Sequence, residues 1–117
     1  MAKLSTHVLD TRRGQPASGL RIDLYRIHRD DRELVLSVHT NQDGRTDEPL
    51  LQGEALRAGT YELVFHAGDY FATQELNLPQ PPFVDRVSVH FGVANPEENY
   101  HVPLLVTPWS WSTYRGS

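Results

Sequence analysis

The chain has 117 residues, a formal net charge of −4, a single lysine (Lys3) and no cysteine. A chain of this size buries roughly 65 to 70% of its unfolded surface, enough for a core without covalent staples, so one domain over 1–117 is expected. The composition removes disulfides and thiolate chemistry, and the scattered arginines make no basic stripe that could follow a phosphate backbone, so no nucleic acid is expected as a partner.

In chain order, the opening stretch MAKLSTHVLDT has no apolar run long enough for a signal peptide or a membrane span. A cytoplasmic protein, free of the membrane, is the expectation. LSTHVLD reads as a first strand in which His7 faces away from Thr6 and Val8. A first strand usually pairs inside a sheet, so a polar group there needs a reason. After a turn at Gly14 to Pro16 comes GLRIDLYRIH, a second candidate strand. ELVLSVHT follows, with Leu34, Leu36 and Val38 alternating with Val35, Ser37 and His39. Turn signals at Asn41 to Gly44 and at Ala58-Gly59 bracket the next segment, and TYELVFH then puts Tyr61, Leu63 and Phe65 on one face.

One helix is expected, over GDYFATQELN, with Tyr70, Phe71 and Leu76 turned inward. The run LPQPP at Leu78 to Pro82 breaks the pattern. VDRVSVHFGV alternates most cleanly, Val87, Val89, Phe91 and Val93 against Ser88, His90 and Gly92. In YHVPLLV the core face takes Val102, Leu104 and Val106, which leaves His101, Pro103, Leu105 and Thr107 on the other. Proline cannot donate to a ladder, so this strand is expected at an edge or with a bulge. Short, evenly spaced strands with one brief helix read as an antiparallel sandwich.

The generic catalytic signatures are missing: no G-x-S-x-G elbow, no H-E-x-x-H, no phosphate loop and no dinucleotide fingerprint. What remains is six histidines, the arginine of NQDGRTDEP and the ending TPWSWSTYRGS. None of His7, His28, His39, His66, His90 and His101 has the close spacing of a zinc site. Arg45, just after an Asp-Gly turn, either balances Asp43, Asp47 and Glu48 in solvent or displays its fork to a carbonyl or anionic oxygen.

Taken together, LSTHVLDTRRGQPASGL, NQDGRT, AGTYELVFHAGDYFA, YHVPLLVTP and STYRGS closely resemble the 5-hydroxyisourate hydrolases, transthyretin-related enzymes of urate breakdown. The LD…G-x-P-A stretch also resembles transthyretin, the hormone carrier, whereas His7, Arg45, His101 and the final YRGS resemble the hydrolases alone. Thr107, Asn99 and Trp111 depart from the family's usual residues. The resemblance implies an all-β, transthyretin-like two-sheet antiparallel sandwich with one short helix. It also implies a homotetramer, a dimer of dimers with sites at the subunit interface. The implied reaction opens the purine-derived ring of 5-hydroxyisourate to 2-oxo-4-hydroxy-4-carboxy-5-ureidoimidazoline.

Such a reaction needs a base for water, donors for the oxyanion and a proton for the leaving nitrogen. By the same resemblance His7 and His101 share the proton work and Arg45 grips a substrate oxygen. Tyr114 hydrogen-bonds the ring, and the Ser117 carboxylate orients the catalytic groups. No metal or organic cofactor is required. The competing reading is a transthyretin-like carrier of a small ligand, without catalysis.

Overall fold

The computed structural model describes residues 1–116, and Ser117 lies outside them. Nine strands are present: β1 Lys3–Asp10, β2 Gln15–Pro16, β3 Arg21–His28, β4 Asp31–His39, β5 Leu51–Gln52, β6 Gly59–Phe65, β7 Val87–Val93, β8 Tyr100–Val106 and β9 Trp111–Thr113. One sheet (sheet A) runs β2-β1-β8-β9 with β5 also on β1, and the other (sheet B) runs β4-β3-β6-β7. Their inner faces meet in an apolar core. Leu4, Val8, Val102 and Leu104 come from sheet A, and Ile22, Leu24, Tyr61, Leu63, Phe65 and Val87 from sheet B. A sandwich with one short helix is what the strand periods implied, and its transthyretin-like form is what the resemblance implied.

Pairing departs from that expectation in one place. β1 and β8 run parallel, Leu4 opposite Tyr100 through Asp10 opposite Val106, while every other pair is antiparallel. β8 is therefore a central strand, and the edge position expected from Pro103 is not observed. The proline is accommodated by a gap in its neighbour. β9 pairs Leu104 with Thr113, and the ladder resumes only at His101 with Gly116, so Pro103 faces Tyr114 where no bridge forms. In an antiparallel ladder bonded pairs recur every second residue. Gly116 N–H donates to the His101 carbonyl at 2.7 Å, so the next bonded pair would need an N–H on Pro103, which proline lacks. Thr113 Oγ1 donates to the Pro103 carbonyl instead, at 2.6 Å.

Two further differences have local causes. The register of β4 slips opposite Leu24 and Tyr25, which leaves Val35 as an extra residue. Past that bulge the alternation inverts: Leu34 is 53% exposed while Val35 packs on the core. The helix is α1, Ala67–Ala72, shorter than the pattern suggested. Thr73 ends it by turning its hydroxyl back onto the Tyr70 carbonyl at 2.6 Å. Tyr70 OH and Gln74 Nε2 both reach Asp10 Oδ2, which ties the helix to the end of β1. Among the described residues, no helix is long and apolar enough to cross a membrane.

Candidate active site

β1 buries alternate residues: Leu4, Thr6, Val8 and Asp10 face the core, and Ser5, His7 and Leu9 lie half-buried on the outer face. β8 does the same with Val102, Leu104 and Val106 inside. The parallel register sets Ser5 beside His101 and His7 beside Pro103. Two imidazoles that lie far apart in the sequence thus share the outer face of sheet A.

Arg45 joins them through the loop before β5. Asn41 organises this loop: its Oδ1 accepts from Asp43 N–H (2.9 Å) and Arg45 N–H (3.2 Å), and its own N–H donates to the Arg45 carbonyl (2.7 Å). Gly44 then docks the loop onto β1. Its carbonyl accepts from Val8 N–H at 2.7 Å, its φ is +75°, and a Cβ there would collide with the Val8 carbonyl and crowd Pro16. Both the left-handed backbone and the close approach require glycine. The loop in turn holds His7, whose Nε2 lies 2.8 Å from the Asp43 carbonyl. A carbonyl only accepts, so Nε2 carries the proton and the Nδ1 lone pair of the neutral ring stays available.

The electrostatics confirm the proximity. The His101 pKa is lowered from its usual 6.5, first by burial, then by the Arg45 charge and by the charge His7 gains when protonated, with the Ser5 backbone acting in the opposite sense. Arg45 is exposed, and among the described residues none of the ion pairs involves it. Its guanidinium is therefore not in direct contact with the Asp43, Asp47 or Glu48 carboxylates. Among those residues no group of three or more His, Asp and Glu could hold a metal ion.

The remaining histidines sort differently. His28 pairs with Glu33 at 3.1 Å, His90 with Glu62 at 3.2 Å and the buried His66 with Asp23 at 2.8 Å. His39 is exposed.

The last described residues fold back rather than fray. Arg115 stacks over the Tyr100 ring at 4.1 Å and donates to the Asn99 carbonyl, and Gly116 bridges His101. Tyr114 is 61% exposed and borders a cavity of about 320 Å³ with Val89, Phe91, Tyr100 and Val102. That cavity opens between the edges of the two sheets, so within one subunit Tyr114 is not gathered with His7, Arg45 and His101. The Ser117 carboxylate lies outside the described residues. Of the departures from the family pattern, Thr107 keeps the hydroxyl that matters: its Oγ1 accepts from Trp109 and Ser110 N–H and closes the β8–β9 turn. Asn99 Oδ1 accepts from Lys3 N–H and anchors the start of β1.

The sequence profile of the HIUase/Transthyretin family matches residues 4–116. The chain belongs to that family. A relative from Rhizobium meliloti, 5-hydroxyisourate hydrolase 2, is 56% identical over 98% of this chain and 96% of its own. Among solved structures, Klebsiella pneumoniae 5-hydroxyisourate hydrolase superimposes with a TM-score of 0.82 at 34% identity, covering both chains fully. (S)-allantoin synthase superimposes with a TM-score of 0.94 at 45% identity, but this chain spans only 44% of that longer one. The HIUase/Transthyretin fold therefore occurs both alone and as part of a larger chain.

Proposed function

We propose that the chain hydrolyses 5-hydroxyisourate, as its relatives' names describe, with the reaction carried on the outer face of sheet A. The observation that supports the site is the meeting of His7, Arg45 and His101 from three distant segments, with one nitrogen of each ring and the guanidinium unpaired among the described residues. A carrier of an apolar ligand gains nothing from three basic groups held against one another, since each raises the cost of charging its neighbour.

His101 acts as the base. Its lowered pKa keeps the ring neutral at physiological pH and so able to take a proton from water. The water oxygen then bonds to the ring carbonyl carbon, and Arg45 holds the oxyanion that forms. As the carbon–nitrogen bond breaks, the proton taken from water passes to the leaving nitrogen, directly or through Nδ1 of His7. The water supplies both the new hydroxyl and the proton, so no further reactant is needed. Ser117, by the resemblance, adds its carboxylate to orient these groups.

One subunit leaves Arg45 exposed and Tyr114 elsewhere. A homotetramer, the assembly we infer, closes the face from above and lets Tyr114 approach substrate from a neighbouring copy. Two open edges favour such an assembly: β7 ends sheet B, β9 ends sheet A, and the apolar cavity lies between them. We place the protein in the cytoplasm, as a single domain over residues 1–117. The test is the absorbance decay of freshly generated 5-hydroxyisourate, corrected for its spontaneous loss. Saturable acceleration is expected; ligand binding without turnover would return the protein to the carrier class.

A further inference from the structure

Catalysis by an imidazole depends on which nitrogen carries the proton, and something must choose. His101 is held on two sides by residues with no part in the reaction proposed above. On one side Ser5, its register partner in β1, sits with Oγ 2.8 Å from Nδ1. A hydroxyl can donate or accept, so this contact alone leaves the tautomer open. The role of His101 as base resolves it. Ser5 Oγ occupies Nδ1, so Nε2 is the nitrogen left to take the water's proton, and the single proton of the neutral ring sits on Nδ1 and is donated to the hydroxyl.

On the other side stands Gly116. Its N–H bonds the His101 carbonyl at 2.7 Å, and the imidazole occupies the space a side chain would need. A Cβ there would come within 2.6 Å of Cδ2 and 3.2 Å of Cβ and Cγ of His101, closer than packed carbon atoms approach. Gly116 has no left-handed φ to account for it. Its missing side chain is explained by the imidazole it leaves room for.

We propose that Ser5 and Gly116 are positioning residues that clamp His101 with Nδ1–H toward Ser5 and the lone pair of Nε2 toward substrate. The orientation opposes that of His7, which keeps its proton on Nε2. The two rings thus present unlike nitrogens to the face they share, one from each side of a parallel strand pair. A ring free to swing or to exchange tautomers would spend part of its time with a proton where the water's proton must go. A catalytic group about 1 Å out of place can cost on the order of 100-fold in rate.

The choice of tautomer rests on the hydrolase reading, but its spectroscopic test does not depend on turnover. Ring ¹⁵N NMR of the wild-type protein, with the His101 signals identified by their loss in His101→Gln, is expected to show a protonated Nδ1 and a bare Nε2. Ser5→Ala should mix the two tautomers, and Ser5→Thr, which keeps the hydroxyl, should restore one. In turnover, Ser5→Ala and Gly116→Ala are each expected to lower kcat by about 10- to 100-fold with KM within about 2-fold, and Ser5→Thr to recover most of it. An unchanged single tautomer in Ser5→Ala, or a wild-type ring protonated on Nε2, overturns the clamp even if hydrolysis is confirmed. A protein that shows the tautomer shift but never accelerates 5-hydroxyisourate decay keeps the clamp and loses the hydrolase reading.

Discussion

The outer faces of the two sheets carry similar residues and treat them in opposite ways. On sheet B, Asp23 accepts from Ser37 (2.6 Å), Arg21 (3.1 Å) and His66 (2.8 Å), and Glu62 takes Arg32 (2.9 Å) and His90 (3.2 Å). Each of these four cations has a counter-charge. On sheet A, two histidines and an arginine gather with none among the described residues, and they depress the charging of His101. Burying charge is costly unless it is paired, so the paired face reads as stability and the unpaired one as a site awaiting an anion. The polar content of the two surfaces is alike; what separates them is whether the bonding capacity has been used up inside the subunit.

Breaking the unpaired face should affect turnover and little else. His101→Ala, His7→Ala and Arg45→Ala are each expected to lower kcat/KM by at least about 100-fold while the protein stays folded, because loss of a base or an oxyanion donor costs that much. Steady-state rates beside circular dichroism check it; wild-type turnover in any one removes that residue from the mechanism.

Breaking the paired face should do the reverse. Burial alone would raise the Asp23 pKa, but hydrogen bonds from Ser37, His66 and Arg21 outweigh it and bring the pKa down from 3.8 to about 2. The folded state therefore holds this carboxylate ionised. Its contribution, roughly 2 kcal/mol, is present above pH 3.8 and lost as pH falls toward 2. Asp23→Asn should lower stability at neutral pH by about that amount, flatten its decline in that acid window, and leave kcat within about 2-fold. Urea melts at pH 7 and pH 3 decide it.

A finer comparison uses pH. Activity should fall on acidification as His101 protonates, with a midpoint below 6.5, since burial, Arg45 and His7 all lower its pKa. Removing the guanidinium in Arg45→Gln takes away one of those causes, so the residual activity should be lost at a higher pH than in the wild type. A limb that stays in place would mean that another group titrates.

The smallest effect belongs to the rim of the paired face. The His90 side chain is 65% exposed beside Glu62, and His90→Gln should change stability by less than about 0.5 kcal/mol, read from the same melts.

How much of this was legible beforehand depended on distance along the chain. Period-two alternation placed six strands, and His7 and His101 on outward faces, because that signal is local. His7, Arg45 and His101 were legible as a set only through the family resemblance. The three short strands were missed, since two or three residues cannot establish a period. The bulge at Val35 was missed because one extra residue changes the pairing and leaves the composition alone. Pro103 argued for an edge by a sound local rule, and the rule yielded to a neighbour whose ladder breaks where the proline lacks its donor. Ser5 had a signal, a hydroxyl two residues before His7 on the same face. Its partner is 96 residues away, and no local spacing reaches that far.

That separation also orders events in time. Every bridge between β1 and β8 joins residues 96 apart, whereas sheet B is assembled entirely from residues between Asp31's neighbour β3 and the end of β7. Contacts across so long a loop form late, because closing the loop is unfavourable until many other contacts exist. During synthesis, sheet B can therefore pair while β1 still waits, its own apolar side and that of Ile22, Leu63 and Phe65 without a cover. Such half-sandwiches are the species most prone to stick to one another. The two imidazoles meet only when β8 slides in beside β1, so the step that ends this exposure is also the one that assembles the proposed site, and a chain broken before Tyr100 would complete neither.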